Sequence, residues 1–219
     1  MNTNRRNVLK ASLGALGALA STSALAKSFD AVCRTTPAQT EGPFYPVKDQ
    51  DDKDDDLTLV RGRTNRARGQ VAYIGGIVSD ENCRPVPGAL VEIWQACASG
   101  RYNHPGDENT APLDPDFQYW GRALTDGNGE YRFRTIVPGA YPADTDWMRP
   151  PHIHYKVHRK GYHELTTQMY FAGSEYNDAD KILRAVPANE RDSVIVSFAP
   201  ADFEAGALVG RFNLTIRKV

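Results

Sequence analysis

The chain has 219 residues, of which 41% are hydrophobic and 24% charged, and its net charge at pH 7 is −1. This length fits one domain with its own core, and an aromatic content of 10% excludes a wholly disordered chain. The balance of charge does not favour a nucleic-acid partner, and none is expected.

Residues 1–26 have the pattern of a signal peptide. The basic Arg5 and Arg6 precede an apolar stretch rich in Ala, Leu and Gly, and residues 24–26 (Ala-Leu-Ala) form a small-residue cleavage site. The apolar stretch is too short to span a bilayer, and the arginine pair resembles a twin-arginine signal. We therefore predict cleavage after Ala26, export to the periplasm and no membrane anchor, with an ordinary secretory signal as the alternative.

Residues 27–69 are predicted to form an N-terminal arm followed by a charged loop. The run TPAQTEGPFYP at 36–46 is rich in proline, which disfavours both a long helix and a central strand. An acidic stretch at 49–56 and the basic run RGRTNRARG at 61–69 follow. Such charge runs are typical of a solvated surface loop.

The cysteines Cys33, Cys83 and Cys97 fit neither the spacing of a zinc site nor a disulfide-dense framework. An oxidising compartment permits one bridge among them. The sequence does not identify which pair would form it.

From residue 71 onward, short segments of β-branched and aromatic residues alternate with Gly, Pro, Asn and Asp, a pattern typical of strands and turns. The clearest hairpin is predicted at 124–131, where Asp, Asn and Gly can supply positive φ angles. So many strands with so little helix predict an all-β fold, namely a β-sandwich with short helical and loop insertions, forming a single catalytic domain at 70–219. The predicted strands are 71–79, 90–95, 121–124, 131–135, 152–159, 167–170, 193–198 and 207–216, and a short helix is predicted at 178–185.

A His-Ile-His run at 152–154 is a candidate metal site. Residues i and i+2 of a strand project to the same face, so His152 and His154 can reach one ion while Ile153 points to the opposite face. Taken alone, the pair is equally compatible with histidines on a plain surface or in a core.

Tyr102 and Tyr141 lie in two turn-like segments, GRYNH at 100–104 and PGAYP at 138–142. A phenolate is a hard anionic donor that suits a hard ion such as Fe(III) better than zinc. From local context alone, a buried tyrosine in a core or turn is the alternative for each.

Several runs, in this order along the chain, resemble the intradiol ring-cleavage dioxygenases, and most closely their protocatechuate 3,4-dioxygenase branch. The resemblance covers most of the chain after the predicted signal peptide. The matching runs are VPGALVEIWQA at 86–96, GRYNHP at 100–105, APLDPDF at 111–117, GRALTDGNGEYRFRTIVPGAYP at 121–142, RPPHIHYKV at 149–157 and TQMYF at 167–171.

The resemblance implies a β-sandwich enzyme that holds a non-haem Fe(III) ion through two tyrosines and two histidines. Carried onto the matching positions of this chain, it implies Tyr102, Tyr141, His152 and His154 as the ligands. The implied substrates are a small aromatic diol and O2, and the implied product is a cis,cis-muconate derivative. Protocatechuate is the favoured diol, with catechol, hydroxyquinol and a substituted lignin fragment as alternatives.

The resemblance also implies catalytic roles beside the metal. Tyr141 is the implied ligand that takes a proton from the diol, and Arg149 and Gln168 are implied active-site residues. For Arg149 we expect electrostatic stabilisation of developing negative charge, with a structural ion pair as the alternative. For Gln168 we expect orientation of a ligand or water through its amide.

The arm also bears on substrate binding, because TPAQTEGPF resembles a segment that comes from the partner chain in the two-subunit enzymes of this branch. Thr40, Gly42 and Pro43, together with Arg149, are therefore predicted to line the substrate pocket. Since the arm and all four implied ligands share one polypeptide, a homo-oligomer is expected. The alternative is a packing arm that makes no substrate contact.

Two other function classes remain open from the sequence. The run at 76–94 also resembles transthyretin-like binding modules, which would contain no metal. A zinc hydrolase could use His152, His154 and a carboxylate from Asp144 or Asp146.

Overall fold

The computed structural model describes residues 33–219, and the predicted signal peptide at 1–26 lies outside the described residues. Short strands dominate the described part, and helix is confined to one short α-helix and two 3₁₀ turns at Asn177–Ala179 and Arg191–Ser193. The elements are β1 (Val71–Asp80), β2 (Leu90–Trp94), β3 (Trp120–Leu124), β4 (Glu130–Ile136), β5 (Tyr141–Asp144), β6 (Trp147–Arg149), β7 (His152–His158), β8 (Leu165–Phe171), α1 (Lys181–Ala185), β9 (Ile195–Val196), β10 (Phe198–Pro200), β11 (Leu208–Arg211) and β12 (Leu214–Ile216).

The strands form two five-stranded sheets and one small hairpin. The first sheet has the order β10-β11-β1-β12, with β4 also paired to β1; the second has the order β3-β2-β7-β8-β9; and β5 pairs with β6. Side chains from both large sheets share one buried core, which includes Ile74 and Phe133 from the first sheet and Ile93 and Ile153 from the second. The β-sandwich expected from the sequence is confirmed.

The alternation of side chains along β7 decides where the histidines lie. Ile153, Tyr155 and Val157 belong to the core between the sheets. His152 and His154 therefore project from the opposite face of the second sheet. There a second, smaller apolar cluster contains Trp94, Ala96, Tyr102, Trp120 and Tyr141, with Phe44 and Tyr45 of the arm packed against it.

The hairpin predicted at 124–131 is wrong, because the two strands that flank the turn belong to different sheets. β3 pairs with β2, whereas β4 pairs with β1. The turn itself is present, with Asp126 Oδ1 accepting hydrogen bonds from the backbone N–H groups of Asn128 at 2.9 Å and Glu130 at 2.8 Å. Backbone bonds from Thr125 N–H to Ala89 O and from Val78 N–H to Gly129 O tie its two sides to separate sheets.

Other differences are confined to the ends and edges of the sheets. The predicted strands at 193–198 and 207–216 are each divided by irregular residues, and the β5–β6 hairpin was not predicted. The predicted helix at 178–185 consists of a 3₁₀ turn and then α1, whose N-cap is Asp180. The Asp180 side chain accepts a hydrogen bond from Leu183 N–H at 2.7 Å.

The described part of the arm lies along the edges of β8 and β12. Gln39 N–H donates to Thr166 O at 2.9 Å, and Thr36 N–H donates to Thr215 O at 3.1 Å. Cys33 forms a disulfide with Cys83, so the start of the arm is joined covalently to the turn that follows β1. Cys97 is a free, buried thiol.

Candidate metal centre

His152 and His154 lie at the start of β7, with their ring centroids 4.9 Å apart. Each is only 2% exposed. The Trp94 ring stacks on His154 with a centroid distance of 4.8 Å and an interplanar angle of 13°, which restrains the plane of that imidazole.

Tyr102 and Tyr141 are brought together by two segments that meet at Gly100. A Cβ atom added at Gly100, where φ is +81°, would lie 2.4 Å from Ala140 O, so a larger residue would push the segments apart. The Tyr102 backbone is also held by Asp107, whose Oδ2 accepts its N–H at 2.6 Å. The two tyrosine rings are 5.6 Å apart, perpendicular to each other.

The tyrosine pair meets the histidine pair on the outer face of the second sheet. Tyr102 Oη lies 3.4 Å from His152 Nε2, the rings of Tyr141 and His152 are 5.7 Å apart, and those of Tyr102 and His154 are 6.2 Å apart. The two phenols are 3% and 7% exposed. The structure thus brings all four predicted ligands into one buried cluster.

The backbone fixes which nitrogen of His152 is available to a metal ion. His152 Nδ1 lies 2.7 Å from Pro150 O, and a carbonyl can only accept, so Nδ1 carries the proton. The lone pair of the neutral ring is therefore on Nε2, the atom that faces Tyr102. This carbonyl belongs to the first of the two prolines that precede β7.

Burial determines the charge of the four side chains. It raises the pKa of Tyr102 well above its ordinary value, and it raises the pKa of Tyr141 as well; in both cases the Arg149 charge acts in the opposite direction. Burial also lowers the pKa of His152 and of His154 well below the ordinary value, and Arg149 adds to that effect. The protein alone therefore favours four neutral donors, and a bound cation would favour the phenolates.

This donor set fits a hard trivalent cation. Two phenol oxygens and two imidazole nitrogens can supply two negative charges and two neutral ligands, as Fe(III) prefers. Within residues 33–219, no group of three His, Cys, Asp or Glu side chains is placed to hold a metal ion. The zinc alternative is therefore wrong, since Asp144 and Asp146 are exposed and supply no third ligand.

Arg149 is buried beside the four donors, at 4% exposure. Its Nε donates to Asp180 Oδ2 at 2.7 Å, and its Nη2 donates to Gln168 Oε1 at 2.6 Å. Among the described residues, Nη1 makes no hydrogen bond. The structural ion pair considered for Arg149 is thus present, with Asp180 as its partner. Nη1 is still available to bind a ligand.

The arm residues predicted to line the pocket differ in their contacts. Gly42 faces the cluster, because an added Cβ would lie 3.3 Å from His154 Cε1. Thr40 presents its carbonyl oxygen to Gln168 Nε2 at 2.9 Å, and Pro43 is exposed. Phe44, which was not predicted, packs on Tyr102 with a centroid distance of 4.6 Å.

Three more residues near the site were not predicted from the sequence. Asp180 is separated from Arg149 by 31 positions, and no local pattern links them. Tyr170 and Gln39 lie inside the recognised runs but resemble ordinary strand and arm residues.

Comparisons with known proteins find similar dioxygenases. A protein-family model described as "Dioxygenase" matches residues 40–213, which begins inside the predicted arm. The chain is 40% identical over 179 residues to the protocatechuate 3,4-dioxygenase beta chain of Burkholderia cepacia, covering 80% of this chain and 76% of that protein. It is 32% identical over 152 residues to a catechol 1,2-dioxygenase of Candida albicans, covering 64% of this chain but 47% of that longer protein, or about half its length.

Solved structures are similar over nearly the whole described part. The dioxygenase domain of a dioxygenase and carbohydrate-binding protein fusion from Streptomyces sp. SirexAA-E aligns with a TM-score of 0.63 at 27% identity, covering 85% of this chain and all of that domain. An intradiol ring-cleavage dioxygenase from Tetranychus urticae aligns with a TM-score of 0.64 at 27% identity, covering 84% of this chain and 95% of that one.

Proposed function

The chain belongs to the intradiol ring-cleavage dioxygenase family, and on that premise we propose that it uses a non-haem Fe(III) ion to cleave a catechol-type aromatic with O2 to a cis,cis-muconate derivative. Protocatechuate is the favoured substrate, because it appears in the name of the relative that is 40% identical. Catechol and chlorocatechol, which appear in the names of other relatives, are the alternatives.

The observation that carries this proposal is the convergence of two phenols and two imidazoles, without a carboxylate among them. Tyr102, Tyr141, His152 and His154 would hold the ion. Fe(III), when bound, supplies a Lewis acid that accepts the two oxygens of the diol and makes its ring reactive towards O2. A non-catalytic binding module has no need for these four side chains together.

The other residues then have distinct tasks. As the phenolate that a bound cation would favour, Tyr141 would accept a proton from the incoming diol at Oη, and the raised pKa that burial gives this phenol favours the protonated form that results. Arg149 directs Nη1 at the negative charge that develops on the substrate. Phe44 and Trp94 exclude water from the tyrosine and histidine faces that they cover.

A visible absorption spectrum tests the proposal most directly. The purified protein, with its iron quantified, is expected to be red-brown from tyrosinate-to-Fe(III) charge transfer. Anaerobic addition of protocatechuate or catechol is expected to shift the band to longer wavelength, because the diol binds the same ion. Oxygen uptake with each diol then ranks the substrates.

The decisive contrary result is a protein that stays colourless after reconstitution with Fe(III). It would exclude the tyrosinate site and leave the binding module as the remaining function. A coloured protein whose band does not shift with any catechol would support the metal site but contradict the proposed substrate class.

We also propose that the chain is exported to the periplasm by a twin-arginine signal. The disulfide between Cys33 and Cys83 supports an oxidising compartment, and no helix within residues 33–219 is long and apolar enough to cross a membrane. N-terminal sequencing of the secreted form is expected to begin at Lys27. Replacing Arg5 and Arg6 by lysine should retain the protein in the cytoplasm, and unchanged export would contradict the signal type.

A homo-oligomer is the assembly that we propose, because one polypeptide carries both the arm and the metal cluster. Light scattering coupled to size exclusion is expected to give a multiple of the chain mass. A mass equal to one chain would contradict this proposal without affecting the metal site.

A further inference from the structure

Gln39 connects the arm to the active-site arginine through one continuous set of hydrogen bonds. Its Nε2 donates to Thr167 Oγ1 at 3.0 Å and to Gln168 O at 2.9 Å, and its Oε1 accepts the Tyr170 hydroxyl at 2.9 Å. The opposite orientation of the amide would set its oxygen against the Gln168 carbonyl, so this orientation is fixed. The whole amide of Gln39 is thus engaged with β8.

The Tyr170 hydroxyl has one proton and two acceptors within reach. Gln39 Oε1 lies 2.9 Å away, whereas Gln168 Oε1 lies 3.2 Å away. The proton points to the nearer acceptor, so Gln168 Oε1 is left to Arg149 Nη2, which donates to it at 2.6 Å. The Gln168 amide is held from its other side by Thr40 O, which accepts from Nε2.

We propose that Gln39 is a positioning residue, which holds the Tyr170 proton away from Gln168 so that Gln168 Oε1 remains the partner of Arg149. Without the Gln39 acceptor, Tyr170 would donate to Gln168 Oε1, and an amide oxygen shared between two donors would bind Arg149 Nη2 less strongly. Arg149 would then depend more on Asp180, and its guanidinium would be less well oriented.

Gln39→Met tests this role, since methionine has a similar shape but cannot accept the Tyr170 proton. We expect kcat to fall about tenfold, the effect of weakening one hydrogen bond to a charged group, with KM and the visible band close to those of the unaltered protein. Gln50→Leu is the matched control. Gln50 is also a partly buried glutamine near the arm, and it donates to Asp52 O and Trp120 O, away from Arg149.

A second replacement separates positioning from a merely structural role. Tyr170→Phe removes the hydroxyl that would donate to Gln168 Oε1. The double variant Gln39→Met with Tyr170→Phe should therefore have a kcat close to that of Tyr170→Phe alone. Additive losses in the double variant would overturn the proposal.

The turnover measurement rests on the proposed dioxygenase function, so a readout without iron is needed as well. In metal-free protein labelled with ¹⁵N-arginine, the Arg149 Nε–H proton can be followed by its exchange with solvent. We expect Gln39→Met to speed this exchange about tenfold and Tyr170→Phe to restore it.

The outcomes of the two readouts are distinguishable. Unchanged exchange in Gln39→Met rejects the positioning role, whatever the activity. Altered exchange in a protein that never binds iron or turns over a catechol would leave the positioning role standing and reject the dioxygenase proposal. If Gln39→Met does not fold, the double variant Gln39→Met with Tyr170→Phe still tests the role, because exchange faster than in Tyr170→Phe alone would contradict it.

Discussion

Arg149→Ala is expected to retain iron but to lose most of its turnover, with kcat lower by about 100-fold or more, the usual effect of removing a fixed electrostatic donor. The four predicted ligands remain in place, so iron content should not change. Two of the arginine nitrogens are fixed by Asp180 and Gln168, so Nη1 is held in place before the reaction begins. Iron analysis and kcat on the preferred diol provide the measurement.

Removal of the guanidinium has a second effect that must be separated from the first. Asp180 is fully buried, and leaving it unpaired costs on the order of 3–5 kcal/mol of folding free energy. The double variant Arg149→Ala with Asp180→Asn removes that unpaired charge, while the asparagine oxygen can still cap α1. If the double variant is stable and has a near-normal kcat, Arg149 has only the structural role.

The parts of the fold that could be predicted from the sequence are strands in which apolar and polar residues alternate. The period-2 alternation of β7 placed Ile153 in the core and both histidines on the other face, as observed. Strand β1 also shows this alternation, and it was predicted to within one residue. In these segments, burial on one face of a sheet imposes the pattern on the sequence itself.

The pairing of segments that lie far apart in the sequence could not be predicted from such an alternation. The turn at 125–129 has the residues of a hairpin, but the sheet to which each flanking strand belongs is decided by contacts with Ala89 and Val78. Similarly, Arg149 meets Asp180 and Gln168 only because β6, β8 and the N-terminus of α1 converge. No spacing along the sequence indicates that these three residues are in contact.

The four predicted metal ligands were identified in two ways, from strand geometry and from the family resemblance. The histidine pair could be proposed from strand geometry, but the tyrosines could be joined to it only through the family resemblance. The structure adds an independent physical reason, since Gly100 permits the close approach to Ala140 that places Tyr102 beside Tyr141. The resemblance and the geometry therefore support the same site on different grounds.

Tyr102→Phe and Tyr141→Phe are each expected to alter the visible charge-transfer band, because that absorption needs a phenolate oxygen on the ion. Tyr141→Phe also removes the proposed proton acceptor, so its kcat should fall by about 100-fold or more. Tyr102 Oη lies 3.4 Å from His152 Nε2, and its loss should chiefly weaken iron binding. Absorption spectra at equal iron content, together with iron affinity and kcat, separate these effects.

Tyr170→Phe is the matched control for the band. Tyr170 is fully buried and its ring lies 6.0 Å from that of His152, so it shares the environment of the two predicted ligands. Its hydroxyl, however, donates to Gln39 Oε1 at 2.9 Å. If the band keeps its position in Tyr170→Phe but changes in both other variants, the effect belongs to the oxygen atoms of Tyr102 and Tyr141. An unchanged band in either of those variants would remove that tyrosine from the metal site, whatever happened to turnover.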